Sequence, residues 1–154
     1  MTTWHGLKED VGYDDIIIKL PNARNSIKAK IIKIDIPNDF ALLEFTPYDY
    51  EAHVIDISQD AVSLLDDLYI IGNPLVFTNF ISTATVPNLS VNDTIHVNDL
   101  VGVCGSINSG SSGGMVLNSK GELVGIVQSK ISVEKGTGIG FITKLETINE
   151  FLQK

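Results

Sequence analysis

The sequence predicts an all-β chain that ends in one short helix. Two observations carry that prediction. Runs of branched apolar residues recur along the chain, some alternating with polar residues, and Pro, Asn and Gly separate them. Near the C-terminus, one segment instead carries apolar residues at helical spacing behind a capping pattern. Many short strands with turn signals between them make a sandwich or a barrel.

In chain order, DDIIIKL (14–20) and SIKAKIIKIDI (26–36) are isoleucine-rich strands separated by the turn-like PNARN. In the second, Ile27, Ala29 and Ile31 alternate with Lys28 and Lys30, the period of a half-buried strand. DFALLEF (39–45) follows a Pro-Asn break. HVIDI (53–57), LYIIG (68–72), NFISTATV (79–86), TIHV (94–97) and LVGVC (100–104) follow as strands. SQDAVSLLDD (58–67) reads as a turn of helix or a loop. MVLNSKGELVGIVQS is a hairpin with Asn118-Ser119-Lys120-Gly121 at its turn. GTGIGFIT (136–143) is the last strand. Thr143-Lys144-Leu145-Glu146 matches a capping box, and Leu145, Ile148 and Leu152 then recur as one helix face.

The composition narrows the function. With 154 residues, 44% of them apolar and 19% charged, the chain can build one folded domain with a sizeable core. No apolar run is long enough to cross a bilayer. A net charge of −8 argues against nucleic acid and against anionic membrane surfaces, whose phosphates it would repel. The opening MTTWHGLKED lacks a basic region followed by an apolar one, so no signal peptide is visible and the cytoplasm is favoured. The single cysteine, Cys104, rules out an intrachain disulfide framework and reads as a buried strand residue. His53 and His96 lack metal-ligand spacing, so no metal is expected. Gly105 and Gly110 have the spacing of a phosphate loop, but the lysine it needs is missing. Nothing indicates an oligomer.

The stretch GSINSGSSGG (105–114) raises a different question. Glycine is costly to order, so a glycine-rich loop before an apolar strand suits a place where something approaches the backbone closely. Glycines around Ser112 allow a sharp turn and expose amide N–H groups, which can hold a developing oxyanion while a serine attacks a carbonyl. Serine alone is a weak nucleophile; it needs a base, and the base needs an orienting carboxylate. His5 lies before the first strand pair, and Asp39 leads an otherwise apolar strand.

These residues carry a resemblance. Thr2-Thr3-Trp4-His5-Gly6 resembles the T-x-x-H segment of trypsin-like serine proteases. Asp39-Phe40-Ala41-Leu42-Leu43 resembles the strand start that carries their aspartate, and GSINSGSSGG is similar to the loop that carries their nucleophile. Ile70-Ile71-Gly72-Asn73-Pro74, GELVGI and GIGFIT are similar to segments of the HtrA branch. The order His, Asp, Ser is that family's, and the likeness spans nearly the whole chain.

The resemblance implies a double antiparallel β-barrel with a short C-terminal helix. Its parts would be an N-terminal barrel half over 1–60, a C-terminal barrel half over 61–142 and the helix over 143–153. It implies His5 as general base then acid, Asp39 as its orienter and Ser112 as nucleophile, with the amides of Gly110 and Ser112 as oxyanion hole. Ser106 would lie at the base of the primary specificity pocket, with Ile107 and the strand Val127, Gln128, Ser129 as its walls. Because Ser106 is not acidic, a small or medium apolar residue before the scissile bond is expected. The partner is a peptide or protein substrate, and the chemistry needs no cofactor. Ser111 stands where the trypsin zymogen switch needs aspartate, so activation by cleavage of that kind is not expected.

The resemblance also implies a first barrel without its N-terminal strands and no PDZ domain after the helix. The missing strands support an alternative reading, an inactive protease-like domain that binds peptides or a protein partner.

Overall fold

A computed structural model describes residues 1–7, 16–20, 26–46, 53–91, 100–130 and 138–153. The chain divides into two compact units, Met1–Val54 and Ile55–Lys154. The TIHV strand and His96 lie outside the described residues.

In the first unit, β1 (Thr2–Thr3), β2 (Ile16–Ile18), β3 (Ile27–Asp35) and β4 (Phe40–Phe45) form an antiparallel sheet in the order β1-β4-β3-β2. Lys28 and Lys30 of β3 face solvent while Ala29 is buried, as the alternation predicts. The period breaks at Ile32. Ile31 pairs with Leu43 and Lys33 with Leu42, so Ile32 is an extra residue, a bulge that leaves its side chain exposed. Phe40 and Ala41 are fully buried at the start of β4, and β1 pairs with these two residues.

The second unit is a closed barrel. β5 (Asp67–Gly72), β6 (Phe80–Val91), β7 (Leu100–Gly105), β8 (Met115–Leu117), β9 (Leu123–Lys130) and β10 (Ile139–Thr143) run in the order β10-β7-β6-β5-β8-β9. Leu68, Ile70, Ala84, Val86, Val101, Val103, Val116, Val124, Val127 and Ile142 fill its interior. Closure removes the sheet edges that would otherwise seek partners. Pro87 sits in β6 where the register to β7 shifts, between Thr85 and Asn88. A missing amide donor is tolerated at such a bulge.

Several expectations need correcting. Residues 53–57 are not a strand: among the described residues only Ile57 bridges, to Leu123, and Val54 is 91% exposed. A branched run becomes a strand only where a neighbour offers its backbone. Of the two readings of SQDAVSLLDD, the loop is the one that forms, as far as Asp67, where β5 begins. Cys104 is exposed, because Val101 and Val103 point inward and the next position points out.

The helix α1 (Leu145–Gln153) forms, but Thr143 does not cap it. Its hydroxyl is engaged by β9, accepting the Ile126 amide at 3.0 Å, and the Lys144 carbonyl takes the first helical bond from Ile148. Phe151, not Leu152, completes the buried face with Leu145 and Ile148.

Candidate functional site

The turn between β3 and β4 sets Asp39. Asn38 donates to the Asp35 carboxylate from its amide (3.2 Å) and from its side chain (2.8 Å), which closes the turn. Asp39 then takes a left-handed conformation, φ 56°, that aspartate tolerates better than most residues. Its amide donates to the Ile36 carbonyl and its carbonyl accepts from Trp4, so the backbone is held on both sides.

The buried carboxylate of Asp39 meets His5 twice. Oδ1 accepts the His5 amide at 2.7 Å, and Oδ2 lies 2.5 Å from the ring Nδ1. A carboxylate taken out of water needs such partners. The carboxylate therefore meets the ring at Nδ1 and not at Nε2. The His5 side chain remains 42% exposed. β1 anchors it, since Thr2 and Thr3 pair with Ala41 and Phe40 on the strand that Asp39 leads.

Ser112 belongs to the second unit, in the loop between β7 and β8. The loop is tied to β9 at two backbone points. Gly113 donates to the Val127 carbonyl (2.8 Å), and Val127 donates to the Gly114 carbonyl (2.9 Å). A reciprocal clasp shapes the turn before the serine: Ser111 donates to the Asn108 carbonyl, and Asn108 donates to Ser111 Oγ (3.1 Å). Ser111 is buried. Gly110 has φ 89°, a conformation that favours glycine, and a Cβ there would stand 2.6 Å from the Asn73 carbonyl oxygen. Among the described residues, neither the Gly110 nor the Ser112 amide is taken by a hydrogen bond, so both stay available to a ligand. The Ser112 hydroxyl, half-buried, donates to the Gln128 carbonyl at 3.1 Å.

The residues expected to line the specificity pocket divide by burial. Ser106 is exposed, and Ser129 is half-buried. Ile107 and Val127 are taken up in the barrel core; Ile107 lies so close to Gly140 that a Cβ there would meet its Cδ1 at 2.5 Å. Gln128 is buried on β9. None of these residues lines the cavity of about 390 Å³ beside the start of α1, between Val62, Leu89, Val101 and Leu145. No group of His, Cys, Asp or Glu that could hold a metal is found among the described residues, and His53 is exposed. Sequence reasoning missed the support that Asn73 and Leu75 give the Ser112 loop. Only the similarity of Ile70–Pro74 to an HtrA segment drew attention there.

The family model of the trypsin-like peptidase domain matches residues 1–126, and the chain belongs to that family. Its relatives lie in the HtrA branch. It is 29% identical to the serine endoprotease DegS of Haemophilus influenzae over 147 residues, which cover 92% of this chain and 43% of that protein. It is 28% identical to an HtrA-like serine protease of Staphylococcus haemolyticus, over 82% of this chain and 22% of that one. The HtrA-type protease AlgW, solved with a decapeptide, superposes with a TM-score of 0.86 at 26% identity, over 99% of this chain and 46% of that one. The chain thus spans less than half the length of each of these relatives.

Proposed function

We propose that the chain is a serine endopeptidase that hydrolyses peptide bonds through Ser112, His5 and Asp39. The observation that carries this reading is the double hold of Asp39 on His5, which leaves Nε2 as the proton-exchanging nitrogen. In the reaction, Ser112 Oγ attacks the scissile carbonyl carbon and its proton passes to His5 Nε2. The carbonyl oxygen, now an anion, takes the amides of Gly110 and Ser112. Collapse breaks the C–N bond, and the leaving amine takes the proton from His5. Water, deprotonated by His5, then attacks the acyl carbon; the ester C–O bond breaks, and Ser112 Oγ takes the proton back from His5. Asp39 stabilises the imidazolium at each passage and keeps the ring oriented.

The substrate is an extended peptide with a small or medium apolar residue before the scissile bond. Ser106 offers no counter-charge to lysine or arginine, and Ile107 fills the space beside Gly140. β9 pairs with β8 only as far as Ile126, and the stretch beyond it, 127–129, is where an extended substrate backbone would add. The peptide held by AlgW is consistent with a peptide substrate.

One observation favours a second reading, a peptide-binding module without activity: the Ser112 hydroxyl is engaged by the Gln128 carbonyl and must rotate before it can attack. Labelling by a fluorophosphonate separates the two. The protease reading expects covalent labelling of the native chain at Ser112 and none in Ser112→Ala. A chain that stays unlabelled, or a label that persists in Ser112→Ala, refutes it.

A further inference from the structure

We propose that Asn73 is a positioning residue for the oxyanion-binding amide of Gly110, acting through the tight loop it closes; this rests on the protease reading above and extends it. β5 ends at Gly72, and the chain turns through residues 73–79 before β6 begins. The Asn73 side chain closes that turn, its Oδ1 accepting the Asn79 amide at 2.8 Å. Inside it, Phe77 donates to the Pro74 carbonyl at 3.0 Å.

The loop is held in an unfavourable shape. Leu75 and Asn79 both have positive φ, 54° and 53°. Such conformations in residues other than glycine persist only where the surroundings over-determine them. Burial does not supply that constraint, since Leu75, Val76 and Phe77 are 65%, 89% and 53% exposed. Backbone contact does. The Leu75 amide donates to the Ser109 carbonyl at 2.8 Å, and the Asn73 carbonyl oxygen occupies the space beside Gly110 Cα.

The Ser109 carbonyl and the Gly110 amide are two ends of one peptide unit. That unit is planar and trans, so its C=O and N–H point in opposite directions. By holding the Ser109 oxygen, Leu75 fixes where the Gly110 N–H points. Without that bond the unit can rotate and turn its oxygen, not its amide, toward the substrate oxyanion. Asn73 therefore acts on the reaction at second hand: its side chain holds the turn, the turn presents the Leu75 amide, and that amide orients the Gly110 donor. Such an effect appears in the transition state and not in substrate binding.

The test compares Asn73→Ala with Asn73→Asp, which keeps an acceptor oxygen at the same place. Peptide hydrolysis and hydrogen exchange are measured on both and on the native chain. In Asn73→Ala, kcat falls by about 10- to 100-fold while KM stays within about twofold, and Asn73→Asp restores most of the loss. Exchange at the Leu75 and Asn79 amides rises about tenfold or more in Asn73→Ala, with the barrel amides unchanged, as expected of local opening. Native kcat in Asn73→Ala, a loss that Asn73→Asp does not restore, or unchanged exchange at Leu75 each overturns the inference. A native chain that neither labels at Ser112 nor cleaves peptides refutes the protease reading instead. In that case, raised exchange at Leu75 still supports, and unchanged exchange still refutes, the hold of Asn73 on the Ser109–Gly110 peptide.

Discussion

Asp39 engages His5 with both carboxylate oxygens, one on the main-chain amide and one on the ring. The first bond places the residue, and the second selects the tautomer. Asn at position 39 retains an oxygen for the amide but presents an NH₂ group to Nδ1. The ring then exposes the wrong nitrogen state for proton abstraction. Asp39→Asn is expected to lower kcat by about 10⁴-fold, as loss of the orienting carboxylate does in triads of this kind. Steady-state hydrolysis with an active-site titration checks this; a loss below tenfold would show that the pair serves the fold and not the reaction.

Gly110 is constrained by its backbone angle and by its neighbour. Its φ of 89° disfavours any side chain, and a methyl group would press on the Asn73 oxygen from 2.6 Å. Gly110→Ala forces the loop to move, at a cost of about 1–3 kcal/mol in stability for the strained angle alone. The displaced amide lowers kcat by about 10²- to 10³-fold, the loss expected for one oxyanion donor. Thermal unfolding and labelling kinetics on one sample read both effects.

Thr143 makes a separate stability prediction. Its hydroxyl is the acceptor for the buried Ile126 amide, so Thr143→Val leaves that donor unsatisfied. The expected loss is about 1–3 kcal/mol by denaturant unfolding, with Thr143→Ser losing less because it keeps the oxygen. Equal losses in the two variants would mean that packing, not the hydrogen bond, is what Thr143 contributes.

That residue also shows where sequence reading stops. Thr143-Lys144-Leu145-Glu146 has the residue types of a capping box, yet the hydroxyl serves a strand 17 positions earlier. A local pattern cannot register a competing partner that tertiary structure brings in. Strands were legible where alternation ran unbroken, as at Leu68, Tyr69 and Ile70, with the ends facing inward and the middle outward. The alternation of 27–31 does not continue through Ile32, where a bulge inserts a residue, and branched composition misled at 53–57, where among the described residues Ile57 alone bridges, to Leu123. The His5–Asp39 pair was legible because motif and order announced it. The hold of Leu75 on Ser109 was not, because a backbone contact leaves little trace in side-chain identity.

Cys104 tests the register of β7. The strand turns Val101 and Val103 inward and Cys104 outward. A thiol reagent such as dithiobis-nitrobenzoate is expected to titrate one cysteine per native chain, at a rate that denaturant raises only modestly. Protection until the chain unfolds would place Cys104 on the inner face and shift β7 by one residue.

The central claim is that Ser112 and His5 act as one catalytic unit, and a double-variant comparison tests it most directly. Peptide hydrolysis is measured for Ser112→Ala, His5→Ala and the chain carrying both changes. Members of one unit lose activity non-additively. The account predicts that the double variant is no slower than the slower single variant. Losses that multiply would mean that the two residues contribute independently, and would contradict the account.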